Sequence, residues 1–356
     1  MKYLIIAGDY SGQNHGIELM KAILEVDLEA EFLVFGSKSM IINQHSNLIY
    51  DLESLKIMGF AGILSRFFEI LSVLKLCKTT IEKEKIDCLI LIDFGGFNLR
   101  IAKFAHQLGV KILYFIPPKV WAWNESRIKI LRKNVDKIAV IFDFERKYFQ
   151  TKGTSVSYFG NPMVDKININ KDQRNDSIAL LPGSRQQEIN FHLPVFIEIA
   201  LLNPTIQFNL AGLENLSYSK KLPPNICIYF NQTESLFKTS KFAVICSGTA
   251  TFEAALYQIP HIVCYKTSWL NYQISKLLIK VKFIALPNLI LNKSTIPELI
   301  QSEMNVANLQ KYIQKSEDLP FKNQQIEAFK EIREIEKGLN VYKNVAQLAI
   351  NLAKKC

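Results

Sequence analysis

The stretch Phe242-Ala-Val-Ile-Cys246, then Ser247-Gly-Thr249, then Ala250 to Tyr257, constrains this chain more than any other. The first five residues are apolar and include a β-branched pair, the pattern of a buried strand. Three small residues make a tight turn, good helix formers follow, and Pro260 stops the helix. His261 to Tyr265 is a second strand, so the unit reads strand, turn, helix, strand and points to an α/β fold. The helix start presents unpaired N–H groups and the positive end of a dipole, which suits a phosphate or diphosphate. Gly248 and Thr249 lie at that start, and Gly248 lets backbone approach a ligand closely. Glu253 lies in the first turns, where its carboxylate can accept hydrogen bonds from ribose hydroxyls. The plainer alternative is an ordinary crossover with Thr249 as its N-cap.

The same rhythm starts the chain. Tyr3 to Ala7 is a strand, Gly8 to Gly16 a glycine-rich turn, and Ile17 to Leu24 a helix. The spacing of Gly8, Gly12 and Gly16 is not that of a dinucleotide fingerprint. Asp87 to Asp93 is an apolar strand with Asp93 at its end, and carboxyl ends of strands are where α/β sites gather. Residues 166 to 177 are polar and Asn/Asp-rich, which marks a linker. The rhythm restarts with a strand at Ser177 to Leu181, the turn Pro182-Gly-Ser184-Arg185 and a helix from Gln186. Ser184 and Arg185 form a second phosphate candidate, since a guanidinium holds diphosphate oxygens bidentately. The expected architecture is two Rossmann-like domains with a cleft between them. They cover residues 1–166 and 167–330, and a helical tail follows over 331–356.

Composition narrows the partners. The formal charge of +10 over 356 residues suits an anionic partner. The basic residues are scattered and no nucleic-acid module is present, so no nucleic acid is expected. Six cysteines form no CxxC pair, and four sit in apolar runs, so buried free thiols in a reducing compartment are expected and no metal site. No apolar run reaches 18 residues, so no spanning helix is expected. The N-terminus is too short for a signal peptide before its first turn, so the protein is expected to be cytoplasmic.

Several segments together resemble the lipid-A-disaccharide synthase family, glycosyltransferases of the GT-B two-domain type. They are Ala7-Gly-Asp-Tyr-Ser-Gly12, Met58-Gly59, Ile92-Asp-Phe-Gly-Gly-Phe-Asn98 and Pro118-Lys-Val-Trp-Ala-Trp123. Gly160-Asn-Pro162, Leu180 to Arg185 with Glu188, Ser247 to Thr251 with Glu253, and Leu286-Pro-Asn288 with Pro297-Glu-Leu299 complete the set. The resemblance spans nearly the whole chain. It implies transfer of a 2,3-diacylated glucosamine from UDP-diacylglucosamine to lipid X, 2,3-diacylglucosamine 1-phosphate. The products are the lipid A disaccharide 1-phosphate and UDP. It also implies an N-terminal acceptor side, a C-terminal donor side, inversion at the anomeric carbon, and no metal or other cofactor. Asn288 is then a position expected to face the nucleotide, beside Ser184, Arg185, Gly248, Thr249 and Glu253. The alternatives are a paralogue that only binds nucleotide or lipid, and another GT-B enzyme acting on a UDP-sugar. A homodimer is compatible with the sequence.

Lipid substrates imply contact with an anionic membrane surface, as a peripheral protein on the inner face of the inner membrane. Ile63 to Leu76 has more apolar positions than one helical stripe needs, with Phe67, Phe68 and Leu71 among them and Arg66, Lys75 and Lys78 flanking. One face is expected to meet lipid and the other to pack inward. Trp269 to Lys280 is a second candidate for that contact, with core as the favoured reading.

The chain departs from the family on the acceptor side. Asp9 stands where the family has Glu, Gln13 and Gly96 stand where it has Asp, and Gly62 where many members have Glu. A base must still take the proton from the attacking hydroxyl. Asp93 is the first candidate, Asp9 the second with a shorter reach, and His15 the third, since neutral imidazole is a competent base. The plainer roles are a helix-capping carboxylate for Asp93 and a solvated or capping residue for His15.

Overall fold

The computed structural model describes residues 1–52, 67–167, 174–218, 221–278 and 281–354. The Met58-Gly59 pair, Gly62, residues 63–66 and 168–173, Lys280 and Cys356 lie outside them, as does the side chain of Phe67. The chain divides by contact into two units, Met1–Pro162 with Gly338–Cys356, and Met163–Lys337. The segment from 331 onward, set apart on sequence as a tail, is thus shared between the two.

The first unit begins β1 (Lys2–Ala7), α1 (Tyr10–Leu24), β2 (Glu31–Gly36) and β3 (Ser46–Asp51). It continues α2 (Phe67–Lys83), β4 (Cys88–Ile92), α3 (Gly95–Gln107), β5 (Lys111–Phe115) and α4 (Arg127–Asn134). Next come β6 (Lys137–Val140), α5 (Asp143–Thr151) and β7 (Ser157–Tyr158). The seven strands are ordered β3-β2-β1-β4-β5-β6-β7, all parallel. A parallel sheet is covered by helices on both faces, so its central strands are apolar throughout. β4, Cys-Leu-Ile-Leu-Ile, is buried at every position.

The order reverses between β1 and β4, where Ala7 pairs with Ile92. Such a switch point opens a crevice beyond the carboxyl ends of the two strands. Asp9 follows one of these ends and Asp93 the other.

Helix α1 starts seven residues earlier than the sequence reading placed it. The Asp9 carboxylate caps it by accepting from the Gly12 N–H at 2.8 Å. Its glycines serve packing rather than a turn. A Cβ on Gly16 would lie 2.7 Å from Met40 Cε, so a larger residue would make the tip of that side chain move aside.

The second unit takes in α6 (Pro162–Lys166), whose first residue closes the first unit, then β8 (Asn175–Leu181), α7 (Gln186–Leu202), β9 (Phe208–Gly212) and β10 (Ile226–Phe230). It continues α8 (Thr233–Thr239), β11 (Ser240–Cys246), α9 (Thr249–Leu256), β12 (His261–Tyr265) and α10 (Trp269–Leu278). It ends α11 (Leu286–Leu291), β13 (Glu298–Ile300), α12 (Val306–Lys315) and α13 (Leu319–Ile335). Its six strands run β10-β9-β8-β11-β12-β13, again all parallel. The switch point here lies between β8 and β11, so Pro182–Arg185 and Ser247–Thr249 leave adjacent strand ends. The chain then returns to the first unit with α14 (Val341–Ala353), which packs on α1, β4 and β5.

Two apolar helices contrast. In α2, Ile70, Val73, Leu74, Cys77 and Ile81 are buried in the first unit's core. Phe68, Leu71 and Leu76 are exposed, Phe68 and Leu71 about one helical turn apart on the side away from these. In α10 no residue is buried, and Trp269, Leu270, Leu277 and Leu278 are exposed. The favoured reading of that segment as core is therefore corrected, and its exposed apolar side chains agree with the other reading, a surface contact. Among the described residues, no helix is long and apolar enough to cross a membrane.

Candidate functional site

The first unit's switch point is built from unusual backbone. Asp93 and Phe94 both adopt the left-handed region, with φ of 45° and 47°, and so does Ile116 at the end of β5, with φ 57°. Each such non-glycine residue costs about 1–3 kcal/mol and persists only where its surroundings hold it. Here the Asp93 N–H donates to the Ile116 carbonyl at 3.0 Å. The Asp93 carbonyl accepts from the Tyr114 hydroxyl at 2.7 Å and from Asn98 Nδ2 at 2.9 Å. The bend that carries Asp93 is thus tied to β5 and α3 by its main chain, which leaves the carboxylate free of that task.

Burial pushes the Asp93 carboxyl up to about 6, and the nearby Asp9 carboxylate adds to the rise. Lys119 and the Phe94 N–H pull the other way. Asp93 is not the cap of α3: the N-cap is Phe94, which makes no side-chain bond. The two turns touch, since a Cβ on Gly8 would run into the Phe94 ring.

The structure therefore brings Asp9 and Asp93 together. Asp9 has one oxygen committed to capping α1. His15 is placed elsewhere: its Nδ1 lies 3.0 Å from the Tyr342 hydroxyl of α14, and its ring meets Phe115 edge-on at 5.9 Å. It is half-buried and caps no helix; its ring is part of the packing of α1, β5 and α14.

Three charged residues escaped the sequence reading. Glu145, near the start of α5, is buried, and burial pushes its carboxyl up to about 7. Its Oε1 accepts from the Trp121 indole at 2.9 Å, which anchors the Val-Trp-Ala-Trp segment. No hydrogen bond of ordinary geometry reaches its Oε2. Lys119 acts on both Asp93 and Glu145. Arg127 lies 4.3 Å over the Trp123 ring. An acid inside Phe142-Asp-Phe-Glu145 at a helix start was the available signal for Glu145. No local signal marks Lys119 or Arg127.

In the second unit, Gly183 takes φ 113°, a conformation that suits glycine. A Cβ there would also strike Glu188. Glu188 Oε2 accepts from the N–H groups of Ser184 at 2.9 Å and Arg185 at 3.2 Å. Its Oε1 pairs with Arg185 Nη1 at 2.8 Å. The amino end of α7 is thus already served by its own carboxylate. What Arg185 offers a ligand is the rest of an exposed guanidinium, held in place by Glu188. His192 is fully buried, its Nδ1–H donating to the Pro182 carbonyl at 2.8 Å and its Nε2 accepting from the Lys266 N–H at 3.0 Å. Burial lowers its pKa, so the ring is neutral and fixes this turn to the end of β12.

The neighbouring turn is open. Gly248, not Thr249, is the N-cap of α9, and it provides no side-chain bond to the helix start. Gly248 and Thr249 are exposed, and a Cβ on Gly248 would meet no atom. Burial pushes the Glu253 carboxyl up to about 7, and Glu234 contributes. A carboxyl held partly neutral repels a diphosphate less and can still bond to hydroxyls.

Asn288 is a correction. It is fully buried and spends its whole amide on the protein. Nδ2 donates to the Ile296 carbonyl and Glu298 Oε1, both at 2.8 Å. Oδ1 accepts from Thr295 N–H at 3.0 Å and Ile296 N–H at 2.9 Å. Glu298 in turn accepts from the N–H groups of Ile284 and Ala285, and Ser247 Oγ donates to the Ile284 carbonyl. The residue faces no ligand; it staples the loop on which the α9 turn rests. Asn288→Ala is expected to destabilise the fold by about 3 kcal/mol, from the buried groups left unpaired. Thermal unfolding checks this, and an unchanged Tm with weakened UDP binding would restore a direct contact.

Among the described residues, no group of three or more His, Cys, Asp or Glu side chains is placed to hold a metal ion.

The lipid-A-disaccharide synthetase family model matches residues 3–352. Lipid-A-disaccharide synthase 1 of Legionella pneumophila is 35% identical over 334 residues, 88% of this chain and 87% of its own length. Lipid-A-disaccharide synthase of Coxiella burnetii is 34% identical over 318 residues, 84% of each chain. Among solved structures, Medicago truncatula UGT71G1 complexed with UDP-glucose superposes with a TM-score of 0.66 at 14% identity, covering 99% of this chain and 98% of that one. A likeness at that identity shows the fold alone: two Rossmann-like domains of the GT-B type.

Proposed function

The chain belongs to the lipid-A-disaccharide synthase family, and from that premise we propose that it is a glycosyltransferase of lipid A biosynthesis. Its reaction moves a 2,3-diacylated glucosamine from UDP onto the 6-hydroxyl of 2,3-diacylglucosamine 1-phosphate. The observation that carries the mechanism is Asp93, at the switch point of the first unit, with its carboxyl pushed up to about 6. A base near the working pH both exists in its charged form and holds a transferred proton well.

The first unit is the acceptor side and the second the donor side. Asp93 takes the proton as the acceptor oxygen attacks the anomeric carbon, and the bond to the UDP oxygen breaks on the opposite face. Negative charge develops on the leaving diphosphate. Arg185, Ser184 and the open amino end of α9 at Gly248 and Thr249 stabilise it there without reorganising. Glu253 accepts from the ribose hydroxyls. Asp9 holds α1 and raises the basicity of Asp93.

Both substrates carry acyl chains, so the protein works at a membrane surface on the cytoplasmic side. The exposed side of α2, with Phe68 and Leu71, and a net charge of +10 favour an anionic leaflet.

The test is incubation with UDP-diacylglucosamine and lipid X, with the products read by mass spectrometry. Disaccharide 1-phosphate and UDP are expected in equal amounts. UDP binding without disaccharide from authentic substrates would replace this reading with that of a nucleotide-binding paralogue. Sedimentation with anionic vesicles at low salt tests the surface. Phe68→Ser with Leu71→Ser is expected to reduce the bound fraction, and no reduction removes α2 as the contact.

A further inference from the structure

Arg127, the first residue of α4, carries a charge that no acidic side chain answers among the described residues. It is half-buried and lies over the face of Trp123, 4.3 Å from the ring centroid. Burial lowers its pKa and Arg100 lowers it further, as happens to a cation without a counter-ion. Stacking on an indole fixes the plane of a guanidinium and leaves its N–H edge directed outward.

That edge lies beside Gly95, the first residue of α3, two residues after the proposed base. Arg127 Nη1 lies 3.5 Å from where a Cβ on Gly95 would stand, a position that the Pro118 ring closes, while a Cβ on the next residue, Gly96, would meet no atom. Tyr114 connects this place with Asp93. Its hydroxyl donates to the Asp93 carbonyl at 2.7 Å, and it feels the charges of both Asp93 and Arg127. Lys119, exposed in the loop that carries Trp121 and Trp123, adds a positive charge of its own and acts on Asp93.

We infer that Arg127, with Lys119, binds the phosphate monoester of the acceptor sugar and thereby orients its hydroxyl toward Asp93. The inference rests on the proposed transfer to a sugar 1-phosphate. A guanidinium meets two phosphate oxygens at once, which fixes direction as well as position, while an ammonium adds charge alone. Holding the anomeric phosphate at one end of the ring leaves the 6-hydroxyl as the group presented to the base. Arg127 is thus a specificity-determining residue for the acceptor, separate from the residues that take the donor.

The experiment compares two acceptors, 2,3-diacylglucosamine 1-phosphate and the same lipid without phosphate, with the parent protein, Arg127→Gln and Arg127→Lys. Arg127→Gln is expected to raise KM for the phosphorylated acceptor about 10- to 100-fold, the effect of losing charge-assisted bonds. The KM for the donor and the rate with the unphosphorylated acceptor stay as they were, so discrimination collapses. Arg127→Lys restores part of it. Equal losses with both acceptors, or discrimination that survives Arg127→Gln, would show that Arg127 only packs Trp123. Titration calorimetry with short-chain forms of the two lipids separates this inference from the proposed reaction. Arg127-dependent preference for the phosphorylated lipid in a protein that makes no disaccharide supports the inference and removes the reaction. Disaccharide formation with no such preference removes the inference and leaves the reaction.

Discussion

Asp93→Asn is expected to lower kcat by about 10²- to 10⁴-fold, the contribution of a positioned base, while UDP binds as before. The two assays together separate a chemical from a structural role, because the proposed donor residues belong to the other unit. The pH profile is a sharper check. A base works only when deprotonated, so kcat/KM should fall as pH drops through about 6, where burial and Asp9 place the Asp93 carboxyl. An ordinary aspartate would hold its activity down to about pH 4. Asp9→Asn removes the neighbouring negative charge and should move the acid limb toward lower pH. If Asp93→Asn retained near-full kcat, the base would have to be sought at Asp9, since His15 is engaged with Tyr342 and Phe115.

Arg185→Ala is expected to weaken UDP binding by about 1.5–3 kcal/mol, or roughly 10- to 100-fold in Kd. The guanidinium is partly spent on Glu188, which also takes the first N–H groups of α7. In the proposed donor site the diphosphate has two supports, the remaining edge of Arg185 and the open start of α9. Loss of the first leaves the second, which is why the expected effect is large but not complete. The measured affinity should also fall with added salt, and less steeply in the variant. UDP binding by Arg185→Ala as tight as the parent's would place the diphosphate wholly at Gly248 and Thr249.

What the sequence revealed follows the range of each physical signal. Strands buried on both faces announce themselves as unbroken apolar runs, so Cys88–Ile92 and Phe242–Cys246 were legible. The candidate sites were then legible, because Asp93 directly follows one such run and Arg185 stands four residues beyond another, ending at Leu181. Gly12 and Gly16 misled because a glycine required by helix packing looks the same as one required by a turn. Trp269 and Leu277 misled because apolar character says nothing about what covers a side chain. Asn288 misled because a motif residue can hold a loop as well as a ligand. Arg127 was illegible for a different reason: a missing counter-ion is a property of the whole neighbourhood and leaves no trace in the residues beside it.

The path of the chain has a consequence for how the protein is made. The first unit is interrupted by the second and finished only by α14, whose Tyr342 meets His15 and Phe115. On the ribosome, the surface of α1 and β5 that α14 covers emerges early and stays bare while some 175 residues of the second unit, Met163–Lys337, are synthesised. The second unit, continuous in sequence, can close first. The first unit, though encoded first, is therefore the last part to reach its final packing.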